Sequence, residues 1–227
     1  MKNAARALFA ALMLAAACAR AQTPPQPEAY ARLDAGVRTP AQTLFRAIDD
    51  SDYVTFSRLL ASGVPVSATN ELGETPLYVA AEKGELAMVK LLIADHADVR
   101  ALTPNGESVL HAASMIDIAA LTTALIDAGA PINQANRDGE TPLYWATMTG
   151  TFMAVKALAD AGADLDLPDA KVGNTPLHAA AWHDDILLVH YLLSKHVRTD
   201  IRNKRGLTAF DLAKLGGRVS AMRLLRQ

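Results

Sequence analysis

Cysteine, aromatic residues and any excess of basic residues are scarce or missing in this chain of 227 residues. Its one cysteine, Cys18, cannot form an internal disulfide bond, so packing must stabilise the fold. Aromatic residues make up 5% against 51% hydrophobic residues, carried by alanine and leucine, which favours helices packed on helices over a β-sandwich. Because 22 Lys and Arg stand against 24 Asp and Glu, the basic excess that phosphate binding needs is absent, and nucleic acid is not an expected partner.

The first 21 residues have the three-part layout of a secretory signal peptide. Lys2 and Arg6 precede an apolar stretch at residues 7–17, and the pattern Ala19-Arg20-Ala21, with small residues at its first and third positions, follows. This stretch is shorter than the roughly 20 residues that span a membrane, and no later run is long enough, so no transmembrane helix is expected. We expect cleavage after Ala21 and export, with the bacterial periplasm as the compartment.

A competing interpretation concerns Cys18. Residues 15–18 resemble a bacterial lipoprotein processing box, in which the cysteine is acylated and becomes the first residue, although Ala15 replaces the usual leucine. That alternative would make the protein a membrane-anchored lipoprotein and an envelope scaffold. Residues 22–36 begin with a proline-rich segment and are expected to form an extended linker.

The rest of the chain repeats itself about every 33 residues. The segment Thr-Pro-Leu-Tyr-Val-Ala at residues 75–80 recurs in related form from Ser108, Thr141, Thr175 and Thr208, at spacings of 33, 33, 34 and 33. Threonine at a helix N-cap accepts a backbone hydrogen bond, and proline suits the first helical position, so a helix is predicted to begin at each segment. A second amphipathic stretch follows each one, so a unit is predicted to comprise two helices and a hairpin loop.

This pattern resembles the ankyrin repeat, whose T-P-L-H-x-A signature and 33-residue period it shares. The resemblance covers about residues 37–227 and implies an all-α solenoid of helix-turn-helix units with hairpin loops. We place six units at about residues 37–69, 70–102, 103–135, 136–169, 170–202 and 203–227. The first and last are interpreted as caps, because residues 42–47 depart from the signature and the last unit stops at Gln227 without a closing loop.

Two departures from the pattern carry structural predictions. The extra residue falls within residues 167–173 and lengthens the loop between the fourth and fifth units, where an insertion costs little. His96 and His196 stand after a helix, where other units have a glycine such as Gly129. Backbone at that position is usually left-handed, so both histidines are interpreted as strained helix ends rather than as metal ligands.

Signatures of catalysis and of nucleotide binding are missing from the sequence. His111 and His178 fill the histidine position of the signature, which the resemblance makes a hydrogen-bonded structural residue. His183 lies beside Asp184 and Asp185 and is the histidine expected to be accessible. A metal-binding or enzymatic protein that uses His178 and His183 is therefore the alternative to our prediction of no enzyme activity, no metal and no cofactor.

What remains is a surface for binding. The resemblance implies that the hairpin tips and the exposed side of the first helices line a concave groove that holds a partner protein. Transferring those positions residue by residue predicts this partner-binding set: Leu72, Met115, Arg137, Asp138, Trp145, Met148, Lys171, Trp182 and His183. The alternative for both tryptophans is that they fill gaps between neighbouring first helices. The predicted function is a monomeric, non-enzymatic module that binds another protein in the periplasm.

Overall fold

The structure is a computed structural model that describes residues 38–226, and twelve α-helices lie within that range as six successive pairs. The first helices of the pairs are α1 (Pro40–Asp49), α3 (Pro76–Glu82), α5 (Val109–Ser114), α7 (Pro142–Thr149), α9 (Pro176–Trp182) and α11 (Ala209–Leu215). The second helices are α2 (Tyr53–Ala61), α4 (Leu86–Ala94), α6 (Ala119–Asp127), α8 (Phe152–Asp160), α10 (Ile186–Ser194) and α12 (Val219–Leu225). The prediction of an all-α repeat solenoid is confirmed.

The predicted signal peptide at residues 1–21, with Cys18, and the predicted linker at residues 22–36 lie outside the described part of the chain. Between residues 38 and 226, no helix has the length and the apolar character needed to cross a bilayer.

The first helices begin where the repeated segments predict. The side-chain oxygen of Thr75 accepts a hydrogen bond from the backbone N–H of Tyr78 at 3.2 Å, and Thr141 does the same for Tyr144 at 3.2 Å. A proline at the first helical position follows each of these threonines. The threonine satisfies a donor that has no partner within the helix, and the proline removes another.

The first unit differs from the expectation, because the N-cap of α1, Thr39, lies three residues before the predicted signature position at residue 42. Thr39 accepts the backbone N–H of Gln42 at 3.2 Å, while the Gln42 side chain accepts the backbone N–H of Thr39 at 2.9 Å. Pro40 follows as the first helical residue. This capping box adds about one turn to the helix, so the departure from the signature at residues 42–47 marks a longer helix rather than a weakened one.

The core runs continuously through the stack. First helices pack on the first helices of neighbouring units, as α3 does on α5 and α9 on α11. Leucines at equivalent positions are 0 to 1% exposed in the first helices and 0% exposed in the second helices: Leu44, Leu77, Leu110, Leu143 and Leu177, then Leu92, Leu125, Leu158 and Leu192. Each pair covers the apolar side of the next, so burial depends on neighbouring units rather than on one unit alone.

The predicted left-handed helix ends are confirmed. His96 has φ 60° and His196 has φ 58°, whereas Gly129 and Gly162 hold the same position with φ 90° and 89°. A side chain in this region brings its Cβ close to the following carbonyl oxygen, and glycine avoids that contact.

Replacing His96 by glycine is therefore expected to raise the free energy of unfolding by up to about 1 kcal/mol, because the backbone strain is removed. The greater freedom of glycine in the unfolded chain offsets part of this gain. Thermal and urea unfolding measure the change, and His196→Gly provides an independent copy of the test. A lower melting temperature in both variants would mean that the imidazoles make stabilising contacts that outweigh the backbone strain.

Thr122 is a polar residue in a position that is otherwise apolar. It is fully buried in α6, and its hydroxyl oxygen has no hydrogen-bond partner among residues 38–226. The equivalent residues of three neighbouring second helices are Val89, Val155 and Val189, each 0% exposed. A buried hydroxyl without a partner loses its hydration and receives nothing in exchange.

The change Thr122→Val keeps the side-chain shape and is expected to stabilise the protein by about 1 kcal/mol, because it removes that desolvation cost. The reverse change, Val155→Thr in the next unit, should destabilise by a similar amount. Urea unfolding of the pair checks both signs, and a destabilised Thr122→Val variant would contradict the assignment of an unpaired hydroxyl.

Candidate functional site

The fourth residue of three repeated segments, Tyr78, His111 and His178, connects its unit to the next hairpin. The Tyr78 hydroxyl donates to the Glu107 carboxylate at 3.1 Å, and His111 and His178 place Nε2 at 2.9 Å from the Glu140 backbone oxygen and at 3.0 Å from that of Leu207. These bonds fix each hairpin against the preceding first helix. They therefore set the positions of the side chains that line the surface between hairpins and helices.

The two histidines of this position have the structural role that was predicted. His111 is 0% and His178 is 2% exposed. In each, Nδ1 accepts the backbone N–H of its own cap residue, Ser108 at 3.0 Å and Thr175 at 3.2 Å. Accepting at Nδ1 requires a neutral ring that carries its proton on Nε2. Burial favours the same form, since it lowers the pKa of His111 to about 4 and lowers the pKa of His178.

We call the surface formed by the hairpin tips and the exposed side of the first helices the inner face. It contains all nine residues of the predicted partner-binding set, which are spread over the second to fifth units rather than gathered into one cluster. Leu72, Arg137, Asp138 and Lys171 are exposed at hairpin tips. Met115, Met148, Trp182 and His183 lie at or just after the ends of first helices, and Trp145 lies one turn before Met148.

Trp145 combines the two roles that were considered for it. Its Nε1 donates to the Glu140 carboxylate at 2.7 Å, and its ring meets the His111 ring edge-on at a centroid distance of 5.1 Å. The side chain is half-buried in this position between the third and fourth units. It therefore fills a gap between neighbouring units and also presents part of its surface on the inner face.

Trp182 is the more accessible tryptophan. It is 40% exposed, and the Arg218 guanidinium lies 5.8 Å from the ring centroid while Arg218 Nε donates to the Trp182 backbone oxygen at 2.8 Å. A cation held over an indole ring restrains the ring, and 40% of Trp182 remains exposed. Trp182 is thus an ordered apolar side chain open to solvent.

The end positions of the first helices form a row along the inner face. We call it the helix-end row, and its members from the second to the sixth unit are Glu82, Met115, Met148, Trp182 and Leu215. Leu215 is 61% exposed, and with Trp182 it forms the most exposed apolar part of the row. Our sequence prediction missed Leu215 and Arg218, although extending the 33-residue register from Trp182 into the last unit would have found Leu215.

Neighbouring hairpins are joined by backbone hydrogen bonds. The Arg137 N–H donates to the Asn105 oxygen at 3.0 Å, the Ala170 N–H to the Asp138 oxygen at 2.9 Å, and the Lys204 N–H to the Val172 oxygen at 2.9 Å. These links hold the tips of the third to sixth units in one row. Residues at the tips therefore have fixed spacing along the inner face.

The inserted residue lies in the hairpin loop between the fourth and fifth units, as predicted. Asp169 is 4% exposed, and its carboxylate accepts the backbone N–H groups of Lys171, Val172 and Asn174 at 2.9, 2.6 and 2.7 Å. Asn136, at the same place in the fourth unit, accepts two N–H groups across a loop that is one residue shorter. The longer tip is thus an ordered loop that holds Lys171 and Val172 outward.

His178 and the two aspartates beside His183 have other roles in the structure. His178 is buried with both ring nitrogens occupied, and Asp184 accepts the backbone N–H of Ala221 at 2.9 Å. Asp185 caps α10 by accepting the backbone N–H of Leu188 at 3.2 Å. Across residues 38–226, no three His, Cys, Asp or Glu side chains are grouped so that they could hold a metal ion.

A stack of helix pairs joined by hairpins defines a helical repeat protein. The inner face is the surface that runs along this stack from unit to unit. A family model described as ankyrin repeats (3 copies) matches residues 44–136 and also residues 116–205. The chain therefore belongs to the ankyrin-repeat family. Members of this family are generally protein–protein interaction modules and are typically not enzymes. No curated protein matches the chain.

Proposed function

We propose that this protein binds another protein through its inner face and performs no catalysis. The observation that carries the proposal is the helix-end row, where Trp182 is ordered by Arg218 yet 40% exposed, next to the exposed Leu215 and to Met148. Tryptophan and arginine are the residue types enriched at the energetic centres of protein interfaces. Rigid side chains lose little entropy on binding, and the cap and hairpin contacts make this surface rigid before a partner arrives.

The compartment belongs to the same proposal. A basic start, a short apolar stretch and the small residues up to Ala21 support export, which puts the partner in the periplasm of a bacterium. Mass spectrometry of the mature protein separates the two forms of processing. A chain that begins at Gln22 supports simple secretion, whereas an acylated chain that begins at Cys18 supports the membrane-anchored scaffold.

Trp182→Ala is expected to abolish capture of the partner from a periplasmic extract, because truncation of an interface centre costs roughly 2 kcal/mol or more. The matched control is Leu187→Ala, which removes an exposed apolar side chain, 57% exposed, from the second helix of the same unit. Both variants should remain folded in a thermal melt. Equal capture by the wild type and the Trp182→Ala variant would reject the inner face as the binding surface.

A further inference from the structure

Charge is divided along the stack. Residues 38–169 contain eight Lys or Arg and eighteen Asp or Glu, a net charge of −10, whereas residues 170–226 contain ten and four, a net charge of +6. The boundary falls at the hairpin that begins the fifth unit. The near-neutral total therefore hides an acidic stretch of about four units joined to a basic stretch of two.

The acidic side of this division reaches the inner face through three glutamates in equivalent positions. Glu74, Glu107 and Glu140 each precede the cap of a first helix. Asn70 Nδ2 donates to Glu74 at 2.8 Å, and Asn136 Nδ2 donates to Glu140 at 3.0 Å, so both carboxylates are held in place by neutral groups. Glu107 is held in the same way by the hydroxyl groups of Tyr78 and Thr103.

These carboxylates are not neutralised within the stack. No Lys or Arg in residues 38–226 forms an ion pair with Glu74, Glu107 or Glu140. At Glu82 of the helix-end row, burial raises the pKa, and the charge of Glu74 raises it further. The three ordered carboxylates of Glu74, Glu107 and Glu140 thus give the second to fourth units a negative inner face.

The fifth and sixth units have the opposite character. In the fifth and sixth units, Asn174 and Leu207 stand at the repeat position that a glutamate occupies in the second to fourth units. The hairpin tips of these two units present three exposed cations, Lys171, Lys204 and Arg205. Within the described chain, none of these three cations has a carboxylate at ion-pair distance. The exposed Trp182, with Arg218 over its ring, lies at this end of the inner face.

We propose that the partner contributes a segment of opposite polarity to the inner face. Its Lys or Arg side chains lie over Glu74, Glu107 and Glu140, a large apolar side chain packs on Met148 and Trp182, and its carboxylates lie against the hairpin tips of the last two units. This inference rests on the proposed function and adds the chemistry and the orientation of the bound segment.

A polyanion fits the same surface less well. Nucleic acid or an anionic membrane would meet the basic tips, but the neighbouring acidic units would repel it along most of the stack. Complementary charges on a protein segment would instead be favourable at both ends, and they would fix the direction in which it lies.

The test uses two synthetic peptides of identical composition. One has a Lys block, a central Leu-Phe pair and a Glu block, and the other has the same residues with Lys and Glu alternating. Titration is followed by calorimetry at 50 and 300 mM salt. We expect the block peptide to bind at least tenfold more tightly at low salt, and we expect the difference to shrink at high salt because screening weakens exposed charge pairs.

A matched pair of charge reversals locates the effect. The double variant Lys204→Glu, Arg205→Glu should weaken binding of the block peptide at least tenfold, whereas Lys90→Glu, Arg100→Glu makes the same charge change elsewhere on exposed residues and should alter it less than twofold. Equal affinity for the two peptides, no binding of the block peptide at 1 mM, or an unaffected double variant would each overturn the proposal.

Two further measurements exclude other occupants, and one separates this inference from the proposed function. Tighter binding of a single-stranded oligonucleotide than of the block peptide at 150 mM salt would overturn the proposal in favour of a polyanion. A dimer that is seen by sedimentation, and that the double variant abolishes, would overturn it in favour of a second copy of this chain. If Trp182→Ala loses the captured partner and the double variant keeps it, the proposed function stands and the polarity fails. If both variants keep the partner, both fail.

Discussion

Replacing Gly139 by alanine is expected to lower the free energy of unfolding by about 3 kcal/mol or more. Gly139 has φ 75°, and a Cβ there would lie 2.4 Å from the Ala170 Cβ and 2.5 Å from the Ala170 backbone nitrogen. The Ala170 N–H donates to the Asp138 oxygen in the link between the fourth and fifth hairpins. Backbone strain and a collision with fixed backbone therefore act together at this position.

Gly206→Ala separates the two causes. Gly206 has a similar φ of 73°, but apart from its chain neighbours no atom of residues 38–226 lies within 4 Å of the position that its Cβ would take. This variant should lose only the cost of the left-handed backbone, about 1 kcal/mol. Urea unfolding measures both changes. Equal losses in the two variants would show that the close approach of the hairpins contributes nothing.

Stability is expected to fall by roughly 3 kcal/mol between pH 7.5 and pH 4 because of His111 alone. Burial lowers the pKa of this imidazole to about 4, whereas the unfolded chain has an ordinary pKa of about 6.5. Between these values the unfolded state binds a proton that the folded state does not. As the pH falls from about 6.5 towards 4, protonation of His111 in the unfolded chain therefore lowers the free energy of unfolding. Outside this range, His111 changes the free energy of unfolding little.

Other groups modify this profile in a known direction. Burial also lowers the pKa of His178, so His178 adds to the loss, while the raised pKa of Glu82 works the other way as acid protonates it in the folded state first. His111→Gln removes one titrating group and should be less stable at neutral pH, yet it should lose less on acidification. Unfolding free energies at four pH values test this. A variant whose decline matches that of the wild type would contradict the role of His111.

The sequence predicts the fold well because each repeated residue has a local reason that does not depend on the rest of the chain. Thr75 and Pro76 start a helix through a cap and a missing N–H, and this local chemistry explains why the helix starts were predicted correctly. The left-handed backbone at His96 was also predicted correctly, because His96 stands at the repeat position that glycine occupies in other units. The start of α1 was missed because Thr39 and Pro40 are shifted three residues from the repeat.

The site is less predictable because it depends on contacts between units. The resemblance placed Trp145 and Trp182 together in the partner-binding set, but Trp145 is held by Glu140 and His111, while Trp182 is ordered by Arg218 from the next unit. No local pattern identifies that arginine as a neighbour of Trp182, because it lies in the last unit, which was interpreted only as a cap. The division of charge was readable in the sequence, yet its meaning required knowing which residues share the inner face.

Photo-crosslinking tests the central claim, binding of a partner protein at the inner face, most directly. A photoreactive phenylalanine derivative replaces Met148 on the inner face in one variant and Ala120, an exposed residue of α6, in the other. After irradiation in a periplasmic extract, the variant at residue 148 is predicted to form a covalent adduct with one protein, and excess unlabelled wild type should compete it away. An adduct from residue 120 with none from residue 148 would contradict the claim.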